Sequence, residues 1–239
     1  MKTRIKPQDK PANPAGSAIP ESLSIPLENG QKVSALLQTT PSASACYILA
    51  HGAGAGMNHP FLADVAQGLT SRRINTLRYQ FPYMEQGSGR PDTPQIAQAT
   101  VRAAVAEAGH LAPGLALVAG GKSFGGRMTS QAQAESPLPG VRGLVFLGFP
   151  LHPPGRPSDQ RAQHLFRIQI PMLFLQGDRD EFADLSLLQP LITQLGSRVT
   201  LKLFADADHS FHVRKRSGQT DADVRVQLLD TIAYWVATI

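Results

Sequence analysis

Leu115-Ala116-Leu117-Val118-Ala119-Gly120-Gly121-Lys122-Ser123-Phe124-Gly125 reads as a buried strand that turns sharply into a helix, with a serine at the apex. This is the G-x-S-x-G nucleophile elbow, in which a strained turn projects the serine hydroxyl from the end of a sheet. Glycines flank the serine because side chains there would collide with neighbouring backbone. Gly121-Lys122-Ser123 also matches the end of a phosphate-binding loop. That motif needs its first glycine where this chain has Ala116, and it would turn the strand residues Leu117 and Val118 into loop.

A serine hydroxyl attacks only when a base removes its proton, and the base needs a carboxylate to fix its tautomer. Both are available further along the chain. The strand-like run Pro171-Met172-Leu173-Phe174-Leu175-Gln176 leads into Gly177-Asp178-Arg179-Asp180. Val199 to Phe204 reads as another strand and runs into Ala205-Asp206-Ala207-Asp208-His209-Ser210-Phe211. Acid and histidine thus each follow a strand, at the sheet edge where the elbow lies and where open α/β sheets bind ligands. Asp180 and Asp178 both remain candidates for the acid. For the oxyanion, the strand-like Ala45 to Ala50 ends in the small-residue loop His51-Gly52-Ala53-Gly54-Ala55-Gly56. Backbone N–H groups of Phe124, just after the serine, and of Ala53 are the candidate donors.

On these residues the chain resembles the α/β-hydrolase superfamily over roughly residues 22 to 239. It is similar to dienelactone-hydrolase-like proteins and to small bacterial hydrolases related to the testis-expressed and chromatin-complex hydrolase-like proteins. The resemblance implies an α/β-hydrolase fold: a mostly parallel, doubly wound sheet with helices on both faces. It also implies a Ser-Asp-His triad of Ser123, Asp180 and His209. Asp180 is favoured because Gly177-Asp178-Arg179-Asp180 matches the superfamily's G-x-x-D. Lys122 departs from the commoner aromatic or small residue before the serine and matches the G-K-S of the smaller branch. The expected activity is hydrolysis of a carboxylic ester, thioester or related acyl bond. The other reading is a hydrolase-fold protein that binds without turnover, since fold alone does not establish function.

Strand and helix signals alternate along the chain, as a doubly wound sheet requires. Ser22 to Leu27 and Lys32 to Leu37 flank the hairpin signal Asn29-Gly30. A helix is expected from Pro60 to Arg72 and a strand from Ile74 to Phe81. Thr93 is expected to cap a helix that ends before Gly109. A strand runs from Val141 to Phe149, and Pro190 blurs a helix between Asp184 and Leu195. A final helix, Asp221 to Ala237, carries Val224, Leu228, Ile232 and Trp235 on one stripe. The connection between the Val141 strand and the Met172 strand is too short for a lid domain. Its Leu151-His152-Pro153-Pro154 segment is expected to rim an open pocket suited to small acyl groups.

His51, Lys122 and His152 are the candidate pocket residues, with a structural hydrogen bond as the plainer role for His51. Lys122 and Arg127 are expected either to meet an acidic group of the substrate or to pair with nearby carboxylates. No spacing of His, Cys, Asp or Glu suggests a metal, and the chemistry calls for no cofactor. The 239 residues fit a single domain, 22–239, after a Pro/Lys-rich leader, 1–21, of disordered composition. One cysteine, Cys46, lies in an apolar strand and reads as a buried thiol. The net charge of +5 comes without any nucleic-acid motif, and no apolar run is long enough to span a bilayer. A cytoplasmic enzyme with a small-molecule acyl substrate, and no nucleic-acid or membrane partner, is the expectation. Oligomeric state is left open.

Overall fold

The computed structural model describes residues 19–239. Its strands are β1 (Glu21–Pro26), β2 (Lys32–Gln38), β3 (Ala45–Ala50), β4 (Ile74–Tyr79), β5 (Ala116–Lys122), β6 (Val141–Leu147), β7 (Met172–Gly177) and β8 (Val199–Phe204). The helices are α1 (Pro60–Thr70), α2 (Pro82–Glu85), α3 (Pro94–Leu111), α4 (Phe124–Glu135), α5 (Leu185–Leu195) and α6 (Asp221–Val236). The strands make one sheet in the order β1-β2-β4-β3-β5-β6-β7-β8. β1 and β2 form the antiparallel hairpin across Asn29-Gly30, and β2 runs antiparallel to β4. From β4 to β8 every pairing is parallel. The C-terminal ends of β3, β5, β7 and β8 therefore share one edge.

Parallel strands covered by helices on both faces must be apolar on both faces. β3 shows this directly, with all six residues buried. Its Cys46, Ile48 and Ala50 join one apolar layer, with Val101 and Ala104 of α3 and Met128 of α4. Ala45, Tyr47 and Leu49 join the opposite layer, with Leu62, Val65 and Leu69 of α1 and Val224, Leu228 and Ile232 of α6. Burial pushes the Cys46 thiol up to about 12, so it stays protonated and inert.

Several boundaries differ from the sequence reading. β1 takes in Glu21, so the expected leader is one residue too long at its end, and 1–18 lie outside the described residues. The Thr93 side chain makes no capping bond, and α3 continues through Gly109 to Leu111, stopping short of Pro113-Gly114. Helical packing on the sheet outweighs the modest cost of one internal glycine. α5 likewise carries Pro190 inside it, after an Asp184 cap whose carboxylate accepts from the Ser186 N–H at 2.8 Å. Between β6 and β7 the chain holds one 3-10 segment, Gln160–Arg167, and no lid domain.

Candidate active site

Ser123 stands between β5 and α4, at the N-cap of the helix, with φ 49° and ψ −115°, a conformation rarely adopted by residues with a Cβ. Such strain persists only where surroundings over-determine it. Here the Ser123 N–H donates to the Leu147 carbonyl at 3.2 Å, and the flanking glycines let the turn lie against β3. A Cβ at Gly121 would sit 2.2 Å from the Ala50 carbonyl oxygen, and one at Gly125 would sit 2.6 Å from that of His51. Alanine at either position would push the serine off the sheet edge.

The structure brings Ser123, His209 and Asp180 together. The Ser123 hydroxyl donates to His209 Nε2 at 2.9 Å, and His209 Nδ1–H donates to Asp180 Oδ2 at 2.7 Å. Asp180 is 5% exposed. It also accepts from the Phe182 N–H at 2.8 Å and from the Gln176 side-chain amide. Asp178 is exposed and takes no part in this array. Gln176 went unassigned in the sequence reading. It is the penultimate residue of β7, fully buried, and its side-chain Oε1 accepts from the Phe149 N–H at 2.8 Å. Its signal was a lone amide closing an otherwise apolar strand. The Phe182 ring lies 4.3 Å from the His209 ring, centroid to centroid, and limits its swing.

Gly52 passes close to the serine, since a Cβ on it would lie 3.7 Å from Ser123 Cβ. Ala53 follows it along the wall of the same cavity. The Gly54 N–H donates to the Tyr83 hydroxyl at 3.0 Å. Phe124 is the first residue of α4, where helical N–H groups lack intrahelical partners.

The candidate pocket residues divide. Lys122 lines the cavity, but its ammonium donates to the His209 carbonyl at 2.6 Å rather than pairing with a carboxylate. Desolvation lowers its pKa to about 8 against the pull of Asp180 and Asp208. His51 is buried beneath the site. Its Nε2 accepts from the Phe81 N–H at 3.1 Å and its Nδ1–H donates to the Gly52 carbonyl at 2.8 Å, so its role is structural. His152 is also buried. Its Nε2 accepts from the Asp184 N–H at 3.0 Å, and it lies against a separate hollow beside Asp178 and Glu181. Both histidines are committed to backbone groups, which removes them from the pocket. Arg127 has no ion-pair partner among the described residues, contrary to the expected pairing. Its Nε is sealed without a hydrogen bond, and burial, then Arg161, lowers its pKa. His164 is buried against the Ser130 hydroxyl at 2.7 Å.

The cavity above Ser123 has a volume of about 530 Å³. Its apolar wall comes from Phe61 and Leu62 of α1, Phe182, Phe211, and Leu228 of α6. Phe61 and Phe211 stack with centroids 5.8 Å apart. Its lining also carries the partly exposed ion pairs Asp64–Arg225 and His212–Asp221, the latter at 2.7 Å. The 151–157 segment, expected to form the rim, contributes nothing to this cavity.

Similar folds are known. A lidless serine hydrolase from Xanthomonas campestris superposes with a TM-score of 0.71 at 22% identity, covering 93% of this chain and 98% of the other. A dienelactone hydrolase from Anabaena variabilis gives a TM-score of 0.73 at 19% identity, covering 93% and 99%. A serine hydrolase homologue from Coxiella burnetii gives 0.71 at 19%, covering 90% and 96%. The profile described as an alpha/beta hydrolase domain matches residues 43–237, which takes in the elbow, both acids and His209. With that match on most of its length, the chain belongs to the α/β-hydrolase family.

Proposed function

We propose that the protein is a serine hydrolase that cleaves a carboxylic ester, thioester or related acyl bond. The observation that carries this reading is the unbroken chain of hydrogen bonds from Ser123 through His209 to Asp180, on a serine held at positive φ. His209 Nε2 takes the hydroxyl proton as Ser123 Oγ attacks the acyl carbon, and Asp180 holds the Nδ1–H tautomer and steadies the imidazolium. The N–H groups of Phe124 and Ala53 receive the developing oxyanion. Collapse of the tetrahedral intermediate expels the alcohol or thiol, which leaves with the proton from His209. Water then attacks the acyl-enzyme and gives a proton to His209, which passes it to Ser123 Oγ as the acyl–Oγ bond breaks, releasing the acid and restoring Ser123. Every group in this cycle belongs to the protein, the substrate or water.

The test is covalent labelling. A fluorophosphonate probe should react stoichiometrically with the native protein, and Ser123→Ala should abolish labelling and turnover while keeping the native melting transition. Loss of a triad member costs several orders of magnitude in kcat. Full esterase activity in the alanine variant would rule out the acyl-enzyme route. An unlabelled, inactive native protein would favour binding without turnover.

A further inference from the structure

The lysine beside the nucleophile has geometry that the reaction cycle does not use. The Lys122 side chain crosses from the end of β5 to the Asp208-His209-Ser210-Phe211 turn, where its ammonium donates to the His209 carbonyl at 2.6 Å. The same ammonium lies 5.8 Å from the centroid of the Phe211 ring, a cation–π contact. It also fills the space beside the end of β6, since a Cβ on Gly148 would come within 3.1 Å of it. On the far side of the turn, the Asp208 carboxylate accepts from the N–H groups of Ser210 at 2.8 Å and His212 at 3.0 Å. The histidine turn is thus braced internally by Asp208 and tied to the rest of the sheet edge by Lys122. Because Lys122 and Ser123 are consecutive, this tie and the nucleophile move as one unit.

We infer that Lys122 is a positioning residue for the proposed acyl transfer, fixing His209 by its main chain at hydrogen-bonding distance from Ser123. The inference rests on the serine-hydrolase reading above. The imidazole is held at its ring by Asp180 and at its backbone by Lys122, and both restraints are needed to set the Ser123–His209 bond. Burial makes the tie stronger, because in a desolvated site a charged donor to a carbonyl is worth more than in water. The Asp180 and Asp208 carboxylates keep the ammonium charged there at neutral pH.

The experiment compares Lys122→Met, which keeps the chain's bulk without a donor, with a chemically restored lysine. In Lys122→Met, kcat for p-nitrophenyl butyrate should fall about 10- to 100-fold, the cost of a small misplacement of a reacting group. KM should stay near the native value, and fluorophosphonate labelling should slow in parallel. Lys122→Cys should be equally slow. Alkylation with 2-bromoethylamine then rebuilds an ammonium at nearly native reach, and it should recover most of kcat. Cys46 will not interfere, being buried with its thiol protonated. Native kcat in Lys122→Met overturns the assignment, as does failure of the fully alkylated Lys122→Cys variant to recover. Failure of both variants to fold also overturns it, since the lysine would then serve the fold alone. If Ser123→Ala is inactive while Lys122→Met is native, only this inference falls. If native protein resists the probe, the hydrolase reading itself falls.

Discussion

Asp178 and Asp180 lie two residues apart at the end of one strand, yet the fold gives them opposite fates. Asp180 is enclosed by the His209 ring, the Phe182 N–H and the Gln176 amide, while Asp178 faces solvent. Asp180→Asn should therefore cut kcat by about 10³- to 10⁴-fold, because an amide in that place no longer fixes the productive tautomer. Asp178→Asn should leave kcat close to native. Steady-state kinetics on both variants decide the point, and a larger loss at Asp178 would reverse the roles. The sequence could nominate both acids from the strand that precedes them, but choosing between them required the family resemblance. The deciding groups, Gln176 and Phe182, act through contacts made only once the strand end is folded. For the same reason the alternative that pairs Lys122 and Arg127 with nearby carboxylates does not hold. Sequence spacing shows which residues are charged, but not whether a backbone carbonyl or another cation waits nearby.

Among the elements, two buried histidines join segments distant in the chain and should make the protein acid-sensitive. His51, after β3, holds the Phe81 N–H ahead of α2, and protonating its Nε2 would set two donors face to face. His164 joins the 3-10 segment to α4 through Ser130. Desolvation is the main cause that lowers each to about 4, with Arg167 and Arg127 adding to it at His164. Between pH 6.5 and 4 the unfolded chain binds these protons and the native state refuses them, so stability falls as pH drops through that window. By pH 5 the loss should reach about 2 kcal/mol per histidine. His212, raised by its bond to Asp221, acts in the opposite sense: it adds stability at low pH that is lost as pH rises through its raised pKa. Its exposure keeps that contribution small. Urea midpoints at pH 7 and pH 5 measure the effect, and His51→Gln, whose amide oxygen can still accept from Phe81, should lose roughly half as much. Equal midpoints at the two pH values would contradict it. The order of strands and helices was legible because two-sided burial writes long apolar runs, as in β3 and β5. Helix ends were less so, since α3 ignores Gly109 and α5 absorbs Pro190 once each packs on the sheet.

For the whole molecule, the sheet edge that holds the site was legible, but the walls of the pocket were not. The short connection after β6 pointed to its 151–157 segment as the rim. Instead the cavity is closed by α1 and α6, which are distant in sequence and meet only because both cover the same face of the sheet. This arrangement still limits the acyl chain. The apolar walls are Phe61, Phe182, Phe211 and Leu228, and a methylene buried against them contributes about 0.8 kcal/mol, or about fourfold in kcat/KM. Against the partly exposed Asp64–Arg225 and His212–Asp221 pairs of the same lining, added methylenes meet charge and water rather than apolar wall. Across p-nitrophenyl esters from acetate to palmitate, kcat/KM should peak among the short chains, acetyl to butyryl, and decline beyond about eight carbons. Arg225→Leu, which replaces part of that charged lining with apolar surface, should move the maximum to longer chains. A native maximum at about twelve carbons or more would mean that an apolar channel continues past the charged pairs, and the limit drawn from these two ion pairs would be wrong.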